Sequence, residues 1–314
     1  MGTGPGPTAT VTVPVPPGGV QVGSDPTAVA SDPRTGRVYV ANSGSLSVSV
    51  LDGASRQVVA TIPLPSRPWG IALNQRTGRV YVTTAEAAVT VIDTASNSVV
   101  RTVALPSRPW GIAVNHRANR VYVATTDAAV AVIDGDTDAV TGAVPVPARP
   151  WAVAVIPESN RIYVTSQESR HLVVIDGASA SVVAEVDLGA RGCGVATNPR
   201  ANRVYVTALD SGLVTVVDGG SNAVVDSFPT PATACGIAVN SQNNRVYVAT
   251  QETGSVSVID ASSHAVIATR SLFGPTRATE LLPNDVDVNP QGEGVYVVNK
   301  AAGTLVAAAG DLQT

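Results

Sequence analysis

Two carboxylates two residues apart, Asp285 and Asp287 in "NDVDVN", stand where six earlier copies of the same segment carry only glycine or alanine. Those copies read Ala28 and Ala30, Gly70 and Ala72, Gly111 and Ala113, Ala152 and Ala154, Gly194 and Ala196, and Gly236 and Ala238. Alternate residues of a strand share a face, so both acids project from a surface that is otherwise almost bare. Neighbouring carboxylates raise one another's proton affinity, and such a pair can supply an acid and a base near neutral pH. Asp285 or Asp287 is read as a base with Glu252 as partner acid. This would suit non-redox elimination, cyclisation or hydrolysis. The competing reading is a solvated or ion-occupied wall. No cofactor is required, although Mg or Ca, which favour carboxylate oxygen, would suit Asp285, Asp287 and Glu252.

A second set of residues recurs just before these positions. Thr27, Trp69, Trp110, Trp151, Cys193, Cys235 and Asn284 occupy one equivalent place, which takes up all three tryptophans and both cysteines of the chain. Two residues earlier stand Arg67, Arg108, Arg149 and Arg191. Each precedes an acid by 19 residues (Glu86, Asp127, Glu168, Asp210), a spacing that allows one Arg–carboxylate pair per unit. Glu252 has Thr233 in place of the arginine, so its carboxylate is left for a ligand. The indoles either wedge between neighbouring sheets or form an aromatic arc along half of a pocket. In the second case the smaller Cys, Thr and Asn leave room for a molecule on the other half.

The elements that must position these side chains are set by a repeat. Seven tyrosines, all in "RVYV"-like steps, fall at Tyr39, Tyr81, Tyr122, Tyr163, Tyr205, Tyr247 and Tyr296, with spacings of 42, 41, 41, 42, 42 and 49 residues. Each unit holds four short β-like runs between turn signals, for example "WGIALN", "RVYVTT", "AVTVID" and "SVVRTVAL". That is the period of a propeller blade. The predicted architecture is all-β: one domain, a seven-bladed β-propeller with four-stranded blades over 26–64, 68–105, 109–146, 150–188, 192–228, 234–272 and 283–310. The last unit lacks an outer strand, which the N-terminal segment 8–16 is expected to supply. Asp52, Asp93, Asp134, Asp176, Asp218 and Asp260 follow the third run of their units and are read as turn caps.

These steps resemble the YVTN-type β-propeller repeats, carried by "RVYVAN", "RVYVTT", "RVYVAT", "RIYVTS" and "RVYVTA" with the preceding "GIAVN", over residues 26 to about 300. The resemblance implies a seven-bladed propeller and leaves the activity open, since its motif residues belong to strands and turns. Streptogramin lyases look similar in architecture, but their metal-associated residues have no position-by-position match here.

Other features narrow the chemistry. The 314 residues carry a net charge of -4, with 44% hydrophobic and 14% charged residues, and no basic cluster to hold nucleic acid or an acidic membrane. Lacking a signal-like start, the chain is expected to be cytoplasmic and monomeric, with secretion allowed if a signal was removed. His116 and His264 are assigned to turns away from the mouth, and only His171 lies near it. A His-rich metal centre is therefore excluded. Cys193 and Cys235 are expected to be free thiols, because the starts of adjacent blades are taken to be too far apart for a disulfide; a Cys193–His171 thiolate pair is the minor alternative. Lys300, the only lysine, could pair with Asp285 or bind an anion. The surplus residues before Asp285 form a loop on the same face, a candidate lid. The functional reading is a propeller whose mouth binds a small organic molecule, or alternatively a scaffold that docks a protein on that face.

Overall fold

The computed structural model describes residues 19–230, 234–250, 253–271, 283–289 and 294–309. They form seven four-stranded antiparallel sheets, as the repeat predicts. In blade 2 the strands, lettered from hub to rim, are a (Pro68–Asn74), b (Arg79–Thr84), c (Ala88–Asp93) and d (Ser98–Ala104). Strands b and c are covered on both faces by the adjoining blades and so read as nearly continuous apolar runs, whereas strand d is mostly exposed. The core lies between sheets. One cluster joins Tyr39, Val48 and Val50 of blade 1 to Ile71, Val80 and Val82 of blade 2.

The repeated tyrosine spans that interface. Tyr163 and Tyr205 are fully buried on strand b, and their hydroxyls donate to the next blade, at the carbonyls of Gly219 (3.4 Å) and Ala261 (3.2 Å). Burial pushes both phenols up to about 12, so they remain protonated donors. The six turn aspartates behave as predicted. Asp52, for instance, accepts from the backbone N–H groups of Ala54 and Ser55 at 3.1 and 2.7 Å, and the same pattern recurs at Asp93, Asp134, Asp176, Asp218 and Asp260. Donation to the charged form holds all six below the usual carboxylate range.

The ring closes through the N-terminal part of the chain. Gly19–Gln21 pairs antiparallel with Thr304–Ala309 as the outer strand of blade 7, placing Val20 opposite Leu305. The predicted closing segment 8–16 lies outside the described residues; the pairing that is described falls later, at 19–21. Val20 and Val22 pack on a cluster that joins Val29 and Val38 of blade 1 to Tyr296 and Leu305 of blade 7, so closure buries apolar surface as well as covering a sheet edge.

Candidate functional site at the mouth of the hub

Strand a begins irregularly in most blades. The register against strand b shifts between Pro68 and Ile71, Pro109 and Ile112, and Gly192 and Val195, and by a smaller step between Pro26 and Ala28, Ala234 and Gly236, and Pro283 and Asp285. A bulge re-aims the side chain at its apex, and Trp69, Trp110 and Cys235 lie within these irregular steps. The glycine after the ring residue answers a packing demand. A Cβ on Gly111 would meet the Trp151 carbonyl at 2.6 Å, and one on Gly194 would meet the Cys235 carbonyl at 1.8 Å. At Gly111 and Gly194 the backbone of the next blade approaches too closely for a side chain, whereas Ala28 and Ala152 hold a methyl at the equivalent place.

The bulges open onto a cavity of about 470 Å³ at the mouth of the hub. Trp69, Trp110 and Trp151 line it on one side, and Thr27, Cys235, Asp285 and Lys300 are also in its wall. The indoles are half-buried and touch in series, with centroids 5.1 Å apart for Trp69 and Trp110 and 4.9 Å for Trp110 and Trp151. The tryptophans therefore stack in series along the cavity as the aromatic arc, and Trp110 also packs against the apolar cluster between blades 3 and 4. Arg108 lies over both Trp69 and Trp110, its guanidinium carbon 5.0 and 4.6 Å from the ring centroids.

That stacking corrects one expectation. The Arg–carboxylate pair of each unit forms in blade 5, where Arg191 donates to Asp210 through two nitrogens at 2.7 and 2.6 Å, and in blade 4 between Arg149 and Glu168. In blade 3 the indoles take Arg108, and Asp127 accepts instead from the Ser107 hydroxyl at 2.7 Å. No ion pair joins Arg67 to Glu86 among the described residues. None of the four arginines is part of the cavity wall, nor is His171, which starts the third strand of blade 4 with Ser169 Oγ at 3.4 Å from Nδ1.

The expectation of free thiols is also overturned. Cys193 and Cys235 form a disulfide, with Cα atoms 5.2 Å apart. Inner strands converge on the axis, so the blade-to-blade distance that forbids a bridge farther out falls within reach of one at the hub. Cys193 is fully buried and Cys235 partly exposed, and the Cys193–His171 thiolate pair is excluded.

The two aspartates occupy the junction of blades 7 and 1. Asp285 accepts from the Val29 N–H at 3.1 Å, and Asp287 accepts from both the N–H and the hydroxyl of Ser31, at 2.6 and 2.7 Å. Enclosure by protein raises both carboxyls; the Val29 N–H opposes this at Asp285 and the Asp287 charge reinforces it, and Asp285 is brought to about 7. Asp285 reaches the cavity wall, whereas Asp287, two residues deeper along the strand, is not part of it. Glu252 lies outside the described residues, as does the side chain of Asn284. Among the described residues no group of three or more His, Cys, Asp or Glu side chains is arranged to hold a metal ion.

Sequence reasoning missed two features. Gln167 lines the cavity, and its amide donates to Cys193 Sγ at 3.7 Å. Threonines two residues after the repeated tyrosine knit neighbouring inner strands. Thr83 donates to the Trp110 carbonyl at 2.8 Å, Thr165 to that of Cys193 at 2.7 Å and Thr207 to that of Cys235 at 3.4 Å. The appearance of "YVT" in place of "YVA" or "YVV" in three of the seven repeats is the signal that could have identified them.

The fold and mouth define a seven-bladed β-propeller with a ligand-sized hub cavity. No protein-family model matches the chain, and no curated protein matches it. Among solved structures the chain is similar to one titled Kuenenia stuttgartiensis hydrazine synthase, with a TM-score of 0.79, 17% identity and coverage of 98% of this chain and 100% of that one. At that identity the likeness is one of fold. No helix among the described residues is long and apolar enough to cross a membrane.

Proposed function

We propose that this YVTN-type propeller binds a small organic molecule at the hub mouth and performs proton-transfer chemistry on it. The observation that carries the reading is the shared wall: three indoles and Asp285 border the same cavity of about 470 Å³, a volume typical of small-molecule sites. An unsaturated or apolar part of the ligand stacks on the indoles. Asp285, with its proton affinity raised to about 7, holds and releases a proton near neutral pH, as a general acid or base must. Lys300 faces the same space and offsets negative charge on the ligand. Asp287 acts through Asp285 as a positioning residue, since Ser31 holds it. Elimination, cyclisation and hydrolysis all fit this set of groups.

The test is a screen of small organic molecules by indole fluorescence, followed by turnover assays on the hits. Saturable 1:1 quenching that weakens at least tenfold in Trp110→Ala, with turnover lost in Asp285→Asn at unchanged ligand affinity, is the expected result. If no molecule of cavity size perturbs the indoles, the reading falls and a protein-docking scaffold takes its place.

A further inference from the structure

The disulfide sits in an unusual place for a purely structural bridge. The blade 5–6 interface that it crosses already has the device used elsewhere in the ring: Thr207 accepts from the Gly194 N–H at 2.9 Å and donates to the Cys235 carbonyl. The blade 2–3 interface relies on the corresponding Thr83 contacts, with tryptophans at the ring positions. The two sulfurs also differ. Cys193 is wholly buried and receives the Gln167 amide, while Cys235 is partly exposed and belongs to the cavity wall. A disulfide with one accessible sulfur and one buried, hydrogen-bonded sulfur is arranged for directional exchange, because access selects the sulfur that is attacked and the donor supports the one that leaves.

We propose that the Cys193–Cys235 bridge is an exchange site for a small-molecule thiol that enters the hub cavity. The thiol, deprotonated in solution, attacks Cys235 Sγ. A new S–S bond forms to Cys235, the bond to Cys193 breaks, and its electron pair leaves on Cys193 Sγ, which takes a proton from water. A second equivalent of thiol attacks the ligand sulfur of the mixed disulfide and releases Cys235, so two thiols are oxidised to one disulfide while the protein gains two electrons and two protons. Gln167 is a positioning residue for the leaving sulfur. The inference shares with the proposed function only the premise that the cavity admits small molecules; it needs no acid–base role for Asp285.

The experiment uses the oxidised full chain in native buffer, with free cysteine as the small probe and a thiol-ended polyethylene glycol of about 5 kDa as a probe too large for a cavity of this size. Adducts are followed by intact mass and mapped by digestion. The expected result is a single adduct on Cys235, formed at least tenfold faster with cysteine than with the polymer while circular dichroism stays native. Gln167→Leu is expected to slow the cysteine reaction about fivefold while circular dichroism stays native. Equal rates for the two probes, an adduct on Cys193, or reaction only at the rate of global unfolding would overturn the proposal. Adduct formation without any ligand-induced indole quenching would sink the proton-transfer reading alone, and quenching without adduct would sink this one alone.

Discussion

Blades 2 to 4 and blades 5 to 7 hold the same inner strand in the same ring by different means. On the first side the ring position is tryptophan, and the strands are held by stacked indoles, Arg108 above them and hydrogen bonds such as Gly111 N–H to the Trp151 carbonyl at 2.9 Å. On the second side it is covalent at Cys193–Cys235 and carboxylate-based at the closure with blade 1. The difference shows that the repeat specifies the approach of adjacent inner strands but not the chemistry that spans it. The inner-strand contacts of the second side, made by the bridge and the acids, are therefore expected to respond to redox state and pH, while the stacked indoles themselves do not titrate.

Breaking the bridge should have the largest effect. Replacing Cys193 and Cys235 together by alanine removes a crosslink over 42 residues and should cost about 4 kcal/mol on the chain-entropy estimate, read as a lower urea midpoint. The pH response comes next. Asp285 binds its proton more tightly folded than unfolded, so its stabilising contribution is complete below about pH 4, its unfolded range, and is lost as pH rises through about 7. Relative to Asp285→Asn, the wild type should lose stability across that window by an amount on the order of a few kcal/mol. A flat difference between the two melts would remove closure from the pH-sensitive side of the comparison.

On the opposite side, Trp110→Ala should cost about 2 to 3 kcal/mol, less than a fully enclosed tryptophan because the ring is half-buried, and should do so equally at pH 5 and 8. Thr83→Val and Thr207→Val each remove a hydroxyl between blades and should each cost about 1 kcal/mol. A larger cost at Thr83 would sharpen the contrast, since no bridge supports that junction. Arg191→Ala, which removes an exposed ion pair just before the inner strand of blade 5, should leave the melting temperature unchanged.

The fold was legible because each repeat carries its own evidence. Seven equivalent tyrosines, strands of alternating or continuous apolar residues and aspartates at fixed turns all require the same short-range geometry. Part of the candidate site was legible for a related reason. A departure from the repeat, tryptophan or aspartate where neighbours carry something smaller, marks a position that the scaffold alone does not explain, and Trp69, Trp110, Trp151, Cys235, Asp285 and Lys300 do meet at one cavity. The rest depends on distances that spacing does not encode. Forty-two residues between two cysteines say nothing about 5.2 Å between their Cα atoms, and a 19-residue offset did not foretell that Arg108 would stack on indoles while Arg191 pairs with Asp210.

From the amino-acid order alone follow the seven units, their four strands, their turns and the ring of odd residues near the axis, since these rest on periodicity and local backbone preference. Convergence at the hub decided the rest: which thiols meet, which of two neighbouring carboxylates reaches the cavity, and which arginine leaves its acid for an aromatic face. Those outcomes are set where strands from different units come within a few ångströms of one another, and such proximity exists only once the ring has closed.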